Sequence, residues 1–164
     1  MKKLFLMLML CAPMTLFAQK FGKVNTAVIM QSLPDVAKAD GELKALQKQK
    51  ENEMKGMQDE LTRKSQEYEK NKSTMKPTKQ KETESELQAL YQKIQQAYQD
   101  AQQEIEKKSA ELQNPIIMKV RNAINAVGKA GGYTYIFEEG AAVYTGETVK
   151  DVTAEVQAKL NAAK

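Results

Sequence analysis

KNKSTMKPTKQK, residues 70–81, carries five lysines (Lys70, Lys72, Lys76, Lys79 and Lys81), no acidic residue, and Pro77 near its centre. The segments on either side are almost free of Gly and Pro and rich in Gln, Glu, Lys and Ala, all compatible with long helices. Pro77 cannot continue a helix, because it has no N–H to donate and its ring collides with the preceding turn. It also pushes Lys76 out of helical geometry. The stretch therefore reads as the turn between two helices, with Thr78 as the cap of the second. A short connection makes the pair antiparallel. Helices of about forty and fifty residues, rising about 1.5 Å per residue, give a hairpin roughly 60–70 Å long.

The apolar residues support this reading. Before the turn they fall at Leu43, Met54, Met57, Leu61, Tyr68 and Met75, with Lys50, Lys64 and Asn71 at positions where a seam expects apolar residues. After the turn the series is Leu87, Tyr91, Ile94, Tyr98, Ala101, Ile105, Leu112, Ile116, Val120 and Ile124. Steps of three and four through most of this series are the pattern of a coiled coil. Towards the end the steps lengthen and the seam drifts. Pro115 interrupts the sequence but not the stripe, which predicts a kink rather than an end. The helix closes at GKAGG, where Gly128, Gly131 and Gly132 can adopt left-handed backbone.

The two ends of the chain differ from its middle. Residues 1–18 have Lys2 and Lys3 followed by an apolar run from Leu4 to Leu10, the pattern of a signal peptide. The run is shorter than a membrane-spanning helix requires, so the mature protein is expected to be soluble outside the cytoplasm. Strands are predicted over Lys23–Met30, Tyr133–Phe137 and, after the turn signal Glu138-Glu139-Gly140, Ala141–Tyr144. Asp151 is placed to cap a short helix with the stripe Val152, Val156 and Leu160. So little sheet and helix has too small a core to stand alone, which predicts oligomerisation. The expected organisation is a signal peptide at 1–18, a β-rich body from 19–34 and 129–164, and a helical hairpin at 35–128 with its tip at 70–81.

Composition narrows the function. The chain has no histidine and no tryptophan, and its one cysteine, Cys11, lies within the signal segment. This argues against His-based acid–base chemistry, thiol nucleophiles and the usual zinc sites. No phosphate-binding glycine loop is present. No enzyme activity, cofactor or metal is expected. The 25 Lys and Arg exceed the 21 Asp and Glu by four, and Lys2 and Lys3 leave with the signal segment. The five lysines of the turn then outweigh the whole remaining excess, so the rest of the mature chain is slightly acidic. Nucleic acid is a poor partner for such a chain.

The start VNTAVIMQSLP, the long Lys/Glu/Gln hairpin and the end YTYIFEEGAAVYTGETVKDVT together resemble the Skp/OmpH family of periplasmic chaperones, over essentially the whole mature chain. The resemblance implies an α+β homotrimer, with strands from three subunits in a shared β-barrel body and three coiled-coil tentacles around a cavity. It implies an ATP-independent holdase that keeps unfolded outer-membrane proteins from aggregating before insertion. On that reading Met54, Met57, Leu61, Tyr68, Met75, Tyr91 and Tyr98 are candidates for client contact, since Met and Tyr suit promiscuous surfaces. The tip lysines Lys70, Lys72, Lys76, Lys79 and Lys81 would meet acidic client segments or an anionic lipid surface. Val24, Val28, Tyr135, Ile136, Phe137 and Val143 would form the trimer core. The competing reading is a structural coiled-coil protein of the envelope without a client cavity.

Overall fold

The computed structural model describes residues 19–162, so the signal-peptide reading of residues 1–18 lies outside the described residues. The chain is mostly helical, with a small parallel sheet. In order it forms β1 (Phe21–Val24), α1 (Thr26–Ser32), α2 (Pro34–Asn71), a 3-10 turn (Lys72–Thr74), α3 (Pro77–Gly131), β2 (Tyr135–Glu138), β3 (Lys150–Asp151) and α4 (Thr153–Ala162). It divides into two compact units, residues 27–121 and the two ends outside that range.

In the first unit α2 and α3 run antiparallel. Ion pairs join them at Asp35–Lys119 (2.7 Å), Glu42–Lys108 (3.3 Å) and Lys50–Glu104 (2.6 Å), and Gln58 donates to the Tyr98 hydroxyl at 2.6 Å. Met54, Tyr68, Ile94, Ala101 and Ile116 are buried along the seam. α3 continues through Pro115.

At the turn the sequence reading needs one correction. Pro77 is the first residue of α3, where a missing N–H costs no helical bond, and Thr78 lies inside the helix. Gln80 ties the turn instead. The Lys76 carbonyl accepts the Gln80 N–H at 3.0 Å, and the Gln80 side-chain amide donates to the carbonyls of Lys72 (2.8 Å) and Met75 (3.2 Å). Below the turn, the buried Tyr68 hydroxyl donates to the Glu84 carboxylate. Lys72 Nζ lies 3.9 Å from that carboxylate and 5.2 Å from the Tyr68 ring centroid. The bond to Glu84 favours the neutral phenol and pushes the Tyr68 pKa up to about 12.

In the second unit β1 is the middle strand, parallel to β2 on one side and to β3 on the other. Two predicted strands are corrected. Lys23–Met30 is a strand only as far as Val24, and α1 begins at Thr26. Helical spacing buries Ile29 and Leu33 and leaves Val28 exposed. The helix start is supplied from far along the chain, where the Glu138 carboxylate accepts the Thr26 N–H at 2.9 Å. Ala141–Tyr144 is not a strand in the single subunit. Gly140 turns with φ 84° and Ala141 N–H reaches the Glu138 carbonyl at 3.0 Å. The chain must then cross β1 to begin β3 in the same direction, so 139–149 is a crossover and not the second arm of a hairpin.

α3 ends in paired bonds, Tyr133 N–H to Gly128 O (3.0 Å) and Gly132 N–H to Lys129 O (3.3 Å), with Gly132 at φ 64°. This is the Schellman arrangement. Only Gly132 of the three glycines is left-handed; a Cβ on Gly131 would collide with the Tyr133 ring. Asp151 takes the Thr153 N–H at 2.9 Å, and Thr153 Oγ1 accepts the Asn25 N–H at 2.9 Å. Val152, Val156 and Leu160 are buried, one helical face contributing about 1.5–3 kcal/mol per side chain.

Leu160→Ala should destabilise this unit by about 2–5 kcal/mol, read as a lowered urea midpoint by tyrosine fluorescence. Ala158→Ser, on the exposed side of the same helix, should stay within about 0.5 kcal/mol. The Tyr68–Glu84 hydrogen bond predicts a pH dependence of the opposite sign to acid denaturation. The Tyr68 contribution is complete below the ordinary phenol value of 10 and is lost as pH rises through about 12. Titrated by phenolate absorbance, Tyr68 should ionise at about 12, and Glu84→Gln should bring it down towards 10.

Candidate functional site

The seam of the hairpin sorts the client-contact candidates. Met54 and Tyr68 are buried between the helices, and Met57, Leu61 and Met75 are half-buried. Tyr91 and Tyr98 are 56% and 39% exposed. The register explains the difference. Leu87, Leu90, Ile94, Ala97 and Ala101 face inward, so the inward stripe passes through Leu90 and Ala97, and the two tyrosines occupy its flank. Tyr98 borders an open groove of about 520 Å³ with Met54, Ala101 and Ile105 in its wall. Its polar edge includes Lys50, half-buried at the seam position that the spacing assigns to it. The hydrogen bond from Lys50 to Glu104 raises the lysine pKa, so the ammonium stays charged there. Glu53 is held below the usual carboxylate range by a hydrogen bond from Gln49 and by Lys50.

Sequence reasoning missed Ile117 and Met118, which are 49% and 50% exposed on α3. The signal was present: Ile116, Ile117 and Met118 are consecutive, and at 100° per residue three successive side chains cannot share one narrow seam.

All five tip lysines are exposed. Their charge is less isolated than the lysine run suggests, because Glu82 and Glu84 follow within two turns of Pro77. Lys79 pairs with Glu82 at 3.2 Å and Lys72 lies 3.9 Å from Glu84. Lys70, Lys76 and Lys81 make no ion pair among the described residues.

The sheet sorts the trimer-core candidates. Val24 is buried within the single subunit. Ile136 packs towards Gly22 and Gly128, where a Cβ would come within 3.4 and 3.3 Å of its side chain. The alternate residues point the other way. Phe21, Tyr135 and Phe137 stack with centroids 5.8–6.2 Å apart, and Tyr135 and Phe137 are 57% and 44% exposed. Val143 and Tyr144 are also exposed, beside a groove of about 330 Å³ whose wall includes Phe21 and Phe137. Val28 belongs to α1 and not to a strand. At the edge of this unit Lys23 Nζ lies 2.7 Å from Glu139, which also accepts from Asn25 at 2.7 Å. These bonds hold the Glu139 carboxyl below the usual range and raise Lys23. Among the described residues no group of three or more His, Cys, Asp or Glu is placed to hold a metal ion, and no helix is long and apolar enough to cross a membrane.

Comparison with known proteins agrees with this architecture. The family model for outer membrane proteins of the OmpH-like type matches residues 20–160. The chaperone protein Skp of Yersinia enterocolitica is 28% identical over 149 residues, covering 91% of this chain and 90% of the relative. Skp of Yersinia pseudotuberculosis is 30% identical over 139 residues, covering 85% of this chain and 84% of the relative. A solved structure from Caulobacter crescentus, described as that of an OmpH-like outer membrane chaperone, superimposes with a TM-score of 0.77 at 19% identity, over 89% of this chain and 86% of the other, a likeness of fold. The match to the family model spans both units, and the chain belongs to the OmpH-like family.

Proposed function

We propose that this protein is an ATP-independent holdase chaperone of the periplasm that binds unfolded outer-membrane proteins and keeps them from aggregating before insertion. The OmpH-like match over residues 20–160 carries the reading, and this is a family of non-enzymatic chaperones. The surface chemistry supports it. Tyr91, Tyr98, Ile117 and Met118 offer scattered apolar area on polar helices. Such area binds many sequences weakly, and weak contacts release without fuel. The tip lysines supply capture of acidic segments or of an anionic lipid surface at ranges of about 8–10 Å.

The working assembly is a homotrimer whose sheet units, residues 19–34 and 129–164, share one β-barrel body. The hairpins, residues 35–128, enclose the client. Two features support self-association. The aromatic row Phe21, Tyr135 and Phe137 is too exposed for a stable isolated sheet of three short strands. The exposed Ala141–Tyr144 segment, strand-like in sequence and unpaired in the single subunit, is available to a neighbouring copy.

Tyr135→Asp with Phe137→Asp should convert the protein to monomers in sedimentation equilibrium, with its helix content retained because both side chains point outward. A trimer of unchanged affinity would remove the aromatic row from the interface. Ile136→Asp should instead unfold the sheet unit itself. Purified protein should suppress the aggregation of a diluted, urea-unfolded porin in light scattering. Tyr91→Ala with Tyr98→Ala should weaken that protection by on the order of tenfold. An absence of suppression by the parent protein would instead favour a structural coiled coil.

A further inference from the structure

We propose that the groove beside Tyr98 is a side-chain site, which takes an aromatic residue of an unfolded chain when an acidic residue stands next to it. This deepens the holdase reading and rests on it. The groove of about 520 Å³ exists because of one small residue. Tyr98, Ala101 and Ile105 follow one another on one face of α3 at steps of three and four, and buried Ala101 leaves a notch between its two larger neighbours. On α2, buried Met54 closes the floor. The Gln58 amide donates to the Tyr98 hydroxyl at 2.6 Å and anchors that ring as a wall.

The walls favour an aromatic guest over an aliphatic one. A methionine thioether attracts the edge of an aromatic ring, and a tyrosine ring gains from a second ring stacked on it or set against its edge. The volume is within the range of about 300–1,000 Å³ that suits a small guest, so a ring and part of the residue next to it can enter.

The preference for an acidic neighbour comes from how the rim charges are paired. Lys50 is engaged by Glu104 at 2.6 Å and by Glu53 at 3.5 Å. Glu51 is engaged by Lys48 at 3.5 Å. Of the charged residues lining the groove, Lys55 alone has no ion-pair partner among the described residues. It follows Met54 directly and is exposed, so the rim carries one uncompensated positive charge beside the apolar floor. A carboxylate next to the bound ring complements it, and an ammonium there is repelled.

The test is methyl NMR on residues 19–164 labelled at the methionine methyl groups. Met30, Met54, Met57, Met75 and Met118 each report one place, and Met54→Leu assigns the groove signal. The probes are acetyl-Gly-Trp-Glu-Gly-amide, its Trp-Lys counterpart and its Leu-Glu counterpart. The Trp-Glu peptide should move the Met54 methyl upfield by ring current and bind about threefold more tightly than the Trp-Lys peptide. The Leu-Glu peptide should compete poorly. Lys55→Gln, at an exposed position where the fold is not at stake, should make the two tryptophan peptides equal, and Ala101→Leu should fill the notch and abolish the shift. Equal binding of the Trp-Glu and Trp-Lys peptides to the parent would overturn the site, as would a shift at exposed Met118 as large as that at Met54. Protection of an unfolded porin with no Met54 shift would overturn the groove and leave the holdase reading standing. A selective Met54 shift without protection would support the groove and count against the holdase.

Discussion

Parallel pairing on both sides of β1 is the constraint from which the rest of the architecture follows. A strand with two parallel neighbours cannot be joined to either by a tight turn, since each connection must carry the chain back to the starting edge. The first connection, from Val24 to Tyr135, contains the whole helical hairpin, and the second is the segment 139–149. An insertion of this length is tolerable beside four-residue strands because loop closure grows only with the logarithm of length, about 0.6 kcal/mol per doubling. The hairpin reduces the cost further, since its antiparallel helices bring their own ends together, as the Asp35–Lys119 pair shows. The small sheet and the long arm are thus two consequences of one topology.

The same strand divides the chemistry of the sheet unit. Alternation turns Gly22 and Val24 to one face and Phe21 and Lys23 to the other. The inner face is finished within the subunit. Gly22 leaves room for the Tyr133 ring and for Ile136, and Val152, Val156 and Leu160 complete a buried set without a polar member. The outer face is not finished, because its stacked aromatics have water where a core would be. Residues that look equivalent in sequence, Ile136 and Phe137, therefore have different surroundings: Ile136 packs towards Gly22 and Gly128, and Phe137 lies on the exposed face.

Much of this was legible in the sequence. The hairpin, its tip at Pro77, the stripe of the last helix and the family resemblance all follow from local pattern, because helical period and proline act over a few residues. What was not legible depended on partners distant in the chain. α1 starts at Thr26 because Glu138 accepts its N–H, so Asn25-Thr26 looked like the middle of a strand. Ala141–Tyr144 has strand composition, but the direction of β3 makes it a crossover. At the tip, the turn is tied by the Gln80 side chain reaching back over eight residues to Lys72. The tyrosines were misplaced for a subtler reason: Tyr91 and Tyr98 lie one residue after Leu90 and Ala97, and either pair satisfies steps of three and four. Packing chose the set that includes the smaller Ala97, and left the amphipathic tyrosines at the edge.

That choice bears on how much apolar surface the arm leaves on its flank. A continuous apolar seam would make a tight, rigid rod with little left over. Here buried islands at Tyr68, Met54 with Ala101, and Ile116 alternate with charged or polar rungs such as Lys50–Glu104. The rungs hold register, because a slip along the seam would strand Lys50 among apolar groups without Glu104, a costly burial. They also keep helix–helix attraction modest, so apolar side chains can remain on the flank without being drawn in. Beside Tyr98, Lys50, Glu51 and Lys55 interrupt the apolar wall of the groove. On the proposed holdase reading, an unfolded chain that threads from one small patch to the next would gain many weak contacts at once. Each of these would break separately, which would make departure fast even when the sum is appreciable.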